Sequence, residues 1–133
     1  MDLAIPYEQS FDATLGIEMT QANDQHVSAV VPVRPVLLQP YGLVHGGVLA
    51  SVAESLASVG TALGVASDGK LAVGAQNDTT FLRSITHGTI HATAHRRHTG
   101  RTRWIWDVEL RDDLDCLCAL TRMSVAIRDP HRR

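Results

Sequence analysis

The feature that most constrains the fold is a long apolar segment with helical periodicity that begins at residue 46. Its large apolar side chains recur at intervals of three and four residues: Leu49, Val52, Leu56, Val59 and Leu63. This spacing is typical of one face of an α-helix. Polar and turn-forming residues at 67–70 mark the end of the helix. Such an apolar stripe has to be covered by another layer of secondary structure.

The remaining chain has the pattern of β-strands joined by short turns. Residues 1–14 are expected to form a tail with one helical turn from Ser10. A weak strand at 15–22 and a better-alternating one at 26–33 precede the helix. Four strands follow it, at 72–83, 88–98, 102–111 and 117–128. Short connections favour antiparallel pairing, so the sequence predicts an α+β fold with five to six strands in a single domain, 1–133.

Composition and charge argue against several classes of function. The formal net charge of −2 gives no reason to expect nucleic-acid binding. The N-terminus lacks the basic start and apolar run of a signal peptide. Residues 43–66 are the one membrane candidate, but their Gly, Ser and Thr content and the central Glu54 argue against a span. We therefore expect a cytoplasmic protein that binds neither nucleic acid nor membrane.

The cysteines and histidines favour neither a disulfide nor a metal site. Cys116 and Cys118 form C-x-C on a predicted strand, where a disulfide is geometrically unfavourable, so reduced thiols are expected. His87, His91 and His95 are four residues apart, which on a helix would suggest metal ligation. On the predicted strand neighbours would be ~13 Å apart. No metal is expected.

Glu54 is the only charged residue between His45 and Asp68. A charge in an apolar setting costs free energy unless it is paired, hydrated or used. On a helical wheel its neighbours are small and uncharged: Gly47, Ala50, Ser51, Ala57, Ser58, Thr61 and Val65. A solvent face would carry several charged residues. The pattern therefore predicts a face approached by a partner helix or a ligand, with a poorly solvated and reactive Glu54.

The start of the helix is the second candidate site. His45 precedes Gly46 and Gly47, which leave backbone N–H groups uncovered at the positive end of the helix dipole. Such N–H groups can stabilise an oxyanion, although a flexible helix entry is the simpler interpretation. His45 and Glu54 are nine residues apart, about 13 Å along a helix and half a turn around it. If both act on one substrate, they must come from different subunits.

Residues 39–58, Q-P-Y-G-L-V-H-G-G-V-L-A-S-V-A-E-S-L-A-S, closely resemble the helix-entry motif of hotdog-fold acyl-CoA thioesterases. The similarity is greatest to the hydroxybenzoyl-CoA, dihydroxynaphthoyl-CoA and phenylacetate-pathway thioesterases. Four features carry this resemblance: the H-G-G sequence, the acid nine residues after the His, the preceding Q-P-Y-G and the Ser one turn after the acid. The order of strands and helix fits the hotdog fold across nearly the whole chain.

The resemblance implies a role for each residue of the motif. Glu54 would be the nucleophile or general base, and Ser58 would orient the attacking group. Gly46 would donate its N–H to the thioester carbonyl. His45 and Gln39 would position the carbonyl, the water or the leaving thiolate. In the family, Glu and Ser come from one subunit and Gln, His and Gly from the other.

Two further segments resemble the regions where the family binds coenzyme A. F-L-R-S at 81–84 is similar to a strand end near the nucleotide, although many members have Pro where this chain has Ser. R-R-H-T-G-R-T-R at 96–103 corresponds to a hairpin that meets the phosphates. The implied contact residues are Arg83, Ser84, Arg97, Gly100 and Arg101. Arg pairs well with phosphate, but a solvated basic hairpin is an equal alternative.

The sequence thus predicts an acyl-CoA thioesterase that releases a free acid, with an aryl-CoA favoured as substrate. Coenzyme A would be part of the substrate, and no separate cofactor is expected. The resemblance implies a homo-oligomer, either a dimer or a dimer of dimers, with the active site at the dimer interface. A non-catalytic acyl-CoA-binding hotdog module and a hotdog dehydratase or hydratase are the alternatives.

Overall fold

A computed structural model of the chain describes residues 4–130. The predicted domain 1–133 also includes residues 1–3, the start of the predicted tail, and residues 131–133. These lie outside the described residues.

Two helices and six strands follow each other within residues 4–130. In order they are α1 (Phe11–Leu15), β1 (Glu18–Ala22), β2 (His26–Pro32), α2 (Gly46–Val65), β3 (Leu71–Phe81), β4 (Thr89–Thr99), β5 (Arg103–Arg111) and β6 (Leu117–Arg128). Short 3₁₀ turns lie at Tyr7–Gln9, Pro35–Leu37 and Ala66–Asp68. The predicted turn from Ser10 is α1, and the Ser10 side chain caps it by accepting from the Ala13 N–H at 3.2 Å.

All six strands form one antiparallel sheet in the order β1-β2-β4-β5-β6-β3. The single long helix, α2, packs across one face of it. This arrangement confirms the predicted fold. Strand β3 follows the helix in sequence but pairs with β6, so it forms one edge of the sheet. Its apolar Val73 is 49% exposed.

The core lies between α2 and the inner face of the sheet. Alternating residues of the strands supply it, as the period-2 pattern predicted. The fully buried strand residues include Val27, Val31, Ile90, Trp106, Val108, Leu110, Met123 and Val125. Leu49, Val52 and Leu56 of α2 pack against them.

The predicted faces of α2 are wrong in its second half. Ala57, Thr61 and Val65, placed by the wheel on the side of Glu54, are buried against the sheet. Leu63, placed in the core stripe, is 52% exposed. Intervals of three and four average 3.5 residues, whereas the helix has 3.6 per turn, so a stripe of that spacing drifts around the axis.

Two tryptophans explain why the buried residues of α2 become smaller towards its C-terminal end. A Cβ at Gly60 would lie 2.3 Å from the Trp106 ring, and one at Gly64 would lie 2.2 Å from Trp104. Trp106 also donates its ring N–H to the Thr61 hydroxyl at 2.9 Å, which satisfies the only polar atom of its side chain. Small residues here make room for large rings in the sheet.

By length and hydropathy alone, the segment Gly46–Asp68 would be long and apolar enough to span a membrane. In the structure its apolar face packs on the sheet, with Val52, Ala53 and Leu56 fully buried. Its mean hydropathy therefore follows from its place in the core.

Candidate active site

Glu54 lies in a cavity of about 640 Å³ along the side of α2 that the sheet leaves uncovered. Its apolar lining includes Phe11, Val59 and Leu63. The polar side chains of Glu54 and Ser58 line the same cavity. The structure therefore brings these two predicted site residues together. Glu54 is exposed in the single chain, so the predicted poor solvation would require cover from a second molecule.

A second cavity of about 330 Å³ lies at the N-terminal end of α2. It is lined by Gln39, Gly46, Phe81, Arg83 and Ser84, together with apolar neighbours. Gln39 and Gly46, which the motif placed together, do meet here. The two cavities have no lining residue in common. Each chain thus presents two half-sites, one lined by Glu54 and Ser58 and the other by Gln39 and Gly46.

The helix entry leaves one backbone N–H available. His45 is the N-cap of α2, and its Nδ1 accepts from the Gly47 N–H at 2.8 Å. Within residues 4–130 the neighbouring Gly46 N–H has no hydrogen-bond partner. A Cβ at Gly46 would lie 2.9 Å from the Phe81 ring. Close packing therefore favours glycine here, and Gly46 lines the second cavity with an N–H that can donate to an anionic oxygen.

Gln39 is held in a short loop before the helix. Its backbone N–H donates to the Leu43 carbonyl at 2.7 Å, and its side-chain oxygen accepts from the Tyr41 N–H. Gln39 lines the second cavity, and its side-chain amide nitrogen can donate to a ligand there.

The five predicted coenzyme A residues fall at two ends of the sheet. Arg83 and Ser84 follow β3, whose last residue, Phe81, pairs with Ala119. Gly100 and Arg101 lie in the β4–β5 turn, beside the opposite end of β6. The nine residues of β5 separate the two ends by about 30 Å. Within one chain these groups do not form a single binding site.

The basic hairpin is also less free than its sequence suggested. Arg97 forms an ion pair with Asp107 at 3.2 Å, and Asp107 also binds Arg122 at 2.9 Å. Gly100 closes the turn by donating its N–H to the Arg103 carbonyl at 2.8 Å. Arg101 is exposed. Of the two predicted phosphate-binding arginines, Arg101 is therefore the more available.

Two histidines of β4, His91 and His95, have partners of their own. His91 Nε2 lies 2.8 Å from Asp113 Oδ1, and this hydrogen bond is the main cause that lowers the pKa of Asp113. The His95 ring contacts His26 edge-on, with centroids 4.8 Å apart. Within residues 4–130 no group of three or more His, Cys, Asp or Glu side chains is placed to hold a metal ion.

Sequence analysis missed two residues that contact Glu54, both on β3. Asn77 donates its side-chain amide to the Ala50 carbonyl at 2.9 Å and approaches Glu54 Oε1 at 3.4 Å. A Cβ at Gly74 would lie 3.1 Å from Glu54 Oε2. The only signal in the sequence was an Asn and a Gly inside an otherwise strand-like segment.

The model of the thioesterase superfamily matches residues 41–119, more than half of the chain. The chain belongs to this superfamily and has its hotdog fold. The match supports hydrolysis of a thioester as the chemistry of the site.

Individual relatives agree with this assignment. A Mycobacterium tuberculosis protein with a provisional esterase designation is 40% identical over 82% of this chain and 79% of its own length. Its structure has a TM-score of 0.87 at 36% identity and covers 92% of this chain and 98% of that one. The proofreading thioesterase EntH of Cronobacter turicensis is 33% identical over 85% of this chain and 82% of its own length.

Solved variants of a Staphylococcus aureus thioesterase bear on the motif. Both are 26% identical to this chain. The first has a TM-score of 0.85 and covers 88% of this chain and 97% of its own. The second has a TM-score of 0.87 and covers 90% of this chain and 98% of its own. One variant replaces a Gln by Ala, and the other replaces a Glu fifteen residues later. Gln39 and Glu54 have the same spacing.

Proposed function

We propose that this protein hydrolyses acyl-CoA thioesters, with aryl-CoA as the preferred class, at sites shared between two subunits. One observation carries the proposal. Glu54 and Gly46 line separate cavities of each chain, which supports a complete site built from two copies. The matching Gln and Glu spacing in the Staphylococcus aureus variants supports the choice of residues.

The chemistry follows from what each half-site offers. The Gly46 N–H, at the positive end of α2, stabilises negative charge on the thioester carbonyl oxygen. Glu54 either attacks the carbonyl carbon directly or takes a proton from an attacking water. The C–S bond then breaks and coenzyme A leaves as a thiolate, which is protonated. The products are a carboxylic acid and free coenzyme A. If Glu54 attacks directly, the acyl group first forms an anhydride with its carboxylate, and water then hydrolyses that anhydride.

The remaining motif residues orient the reacting groups. Ser58 lies one turn after Glu54 in the same cavity and orients the attacking group. Gln39 directs its amide into the Gly46 cavity and positions the carbonyl. His45 fixes the helix entry through its contact with Gly47, and in the proposed mechanism its other ring nitrogen contacts the substrate. No metal or separate cofactor takes part.

The acyl group occupies the Glu54 cavity and contacts its apolar side chains. Phe11, which is 62% exposed, and Leu63 form its walls. A ring there covers apolar surface that the single chain leaves open to water. A flat aromatic acyl group gains most binding free energy from such a contact, because its ring can pair with the Phe11 ring. Aromatic pairs contribute free energy beyond that of burying apolar area. The resemblance to aryl-CoA thioesterases favours the same class.

The nucleotide part of coenzyme A spans the subunit boundary. Arg83 and Ser84 border the Gly46 cavity. Arg101 and Arg97, with the turn at Gly100, extend from the other end of the sheet. A two-fold arrangement that pairs the β3 edges antiparallel brings opposite sheet ends of two chains towards each other. Arg83 of one chain and Arg101 of the partner then serve one substrate.

Edge strand β3 is the contact that such an assembly uses. An exposed edge with free backbone groups and an exposed Val73 tends to pair with another strand. Dimers of this kind, alone or as a dimer of dimers, cover both Glu54 and the edge. We place the assembly in the cytoplasm, with no nucleic-acid or membrane partner.

Thiol release from a panel of aryl- and alkyl-CoA thioesters tests the activity. We expect turnover with aryl-CoA at higher kcat/KM, and its loss by several hundredfold or more in Glu54→Ala. Asp68→Ala changes an exposed acid in the 3₁₀ turn that follows α2; it serves as the control and keeps wild-type activity. Tight acyl-CoA binding without any thiol release favours the non-catalytic module instead. Unaltered kcat in Glu54→Ala contradicts the mechanism.

A further inference from the structure

A chain of hydrogen bonds leads from the core of the sheet to Glu54. Thr121 on β6 is 3% exposed, and its hydroxyl lies 2.7 Å from that of Thr79 on β3. Thr79 donates to the Asn77 side-chain oxygen at 2.7 Å. The Asn77 amide donates to the Ala50 carbonyl at 2.9 Å and approaches Glu54 Oε1 at 3.4 Å.

The direction of these bonds follows from their chemistry. The Ala50 carbonyl can only accept, so the amide nitrogen of Asn77 must face the helix. Its oxygen then faces Thr79 and accepts the one proton of that hydroxyl. Thr79 has no further proton to give, so Thr121 must donate to Thr79. Every donor in the chain therefore points towards Glu54.

The other side of the carboxylate is confined by backbone. The position of a Cβ at Gly74 is 3.1 Å from Glu54 Oε2, so this oxygen lies directly over the edge strand. The register of β3 against β6 shifts between Gly74 and Gln76, which places an irregular stretch of strand beneath the acid. Asn77 and Gly74 together limit where Glu54 can point.

We propose that Asn77, oriented by Thr79 and Thr121, is a positioning residue that holds the Glu54 carboxylate in its reactive orientation. This inference rests on the proposed role of Glu54. A side chain on a helix surface samples several rotamers, and an amide anchored at both ends selects among them. The 3.4 Å contact is long, as catalytic hydrogen bonds often are before the substrate is bound.

Two substitutions with matched controls test the proposal. Asn77→Ala removes the donor, and Thr79→Val keeps the shape of Thr but loses the proton that orients Asn77. Gln76→Ala and Thr80→Val change the neighbouring exposed residues of the same strand, which are not part of the hydrogen-bond chain. Thermal unfolding of each variant shows whether it is folded, and Thr79→Val is the milder substitution.

The proposal expects kcat to fall and KM to stay constant. The loss in Asn77→Ala is on the order of 10- to 100-fold, as for a lost hydrogen bond to a charged group. In Thr79→Val, kcat falls roughly 3- to 10-fold, because Asn77 remains but is free to rotate. KM changes by less than about twofold, since neither residue holds coenzyme A. Effects equal to those of Gln76→Ala and Thr80→Val, or effects on KM alone, overturn the proposal.

A double variant separates positioning from general structural damage. If Asn77 acts through Glu54, adding Asn77→Ala to Glu54→Ala lowers the residual rate by less than about twofold. Independent, multiplying effects contradict the coupling. The two proposals fail differently: full activity in Glu54→Ala overturns the proposed function. An inactive Glu54→Ala with a fully active Asn77→Ala overturns only the role of Asn77.

Discussion

Two inactive variants should restore each other when their subunits mix, because each chain carries two separate half-sites. Glu54→Ala removes the carboxylate from one cavity and Gln39→Ala removes the amide from the other. In a mixed dimer one shared site has both lesions and the other has neither. Activity therefore returns although neither parent variant is active.

The size of the recovery follows from the arrangement. Random reassortment of equal amounts gives about half mixed dimers, each with one of two sites intact, in a two-fold assembly. We expect about a quarter of wild-type activity. The assay unfolds and refolds the mixture, or incubates it until subunits exchange, then measures thiol release. Native mass spectrometry of differently tagged chains gives the mixed fraction.

A mixture of Glu54→Ala and Glu54→Gln is the matched control. Both lesions lie in the same half-site, so every shared site is damaged and no activity returns. Mixed dimers of Glu54→Ala and Gln39→Ala without recovery would refute the shared site. Glu54 would then have to find its carbonyl-binding group within its own chain.

Three further predictions concern packing, thiol chemistry and coenzyme A. Gly60→Ala should lower the free energy of unfolding by about 1–3 kcal/mol, because its Cβ would lie 2.3 Å from Trp106; an unchanged urea midpoint contradicts this. Burial raises the pKa of the Cys118 thiol and so reduces its thiolate fraction at pH 7–8; we expect it to alkylate more slowly than the partly exposed Cys116. Peptide mass spectrometry measures both rates, and equal rates would argue against the shift. Arg101→Ala should raise KM several-fold for acyl-CoA and leave it unchanged for the acyl-pantetheine thioester, which lacks the nucleotide; parallel changes exclude a phosphate contact.

Periodicity and turn residues were sufficient to predict the elements of the fold. The strand from 117 to 128 has the predicted bounds, and the helix starts at Gly46 as expected. These patterns are local, because alternation and helical spacing depend on neighbours within a few residues. The motif from Gln39 to Ser58 is equally local, so the chain could be related to its family by sequence alone.

The contacts of the site could not be predicted in the same way. Asn77 lies 23 residues from Glu54 in sequence and meets it only because β3 returns along the sheet edge beside the helix. Thr61 is likewise buried against the sheet beside Trp106, which lies 45 residues away in sequence. A helical wheel contains no information on which large rings will face it.

The sequence by itself determined the α+β fold class, the helix entry and the isolated carboxylate, since each depends on residues close together in the chain. The tertiary structure decided that Glu54 and Gly46 lie in different cavities and that Arg83 and Arg101 lie at opposite ends of the sheet. It also decided that Asn77 and Gly74 flank the carboxylate. Such distances arise from the order in which strands pair, which no local pattern encodes.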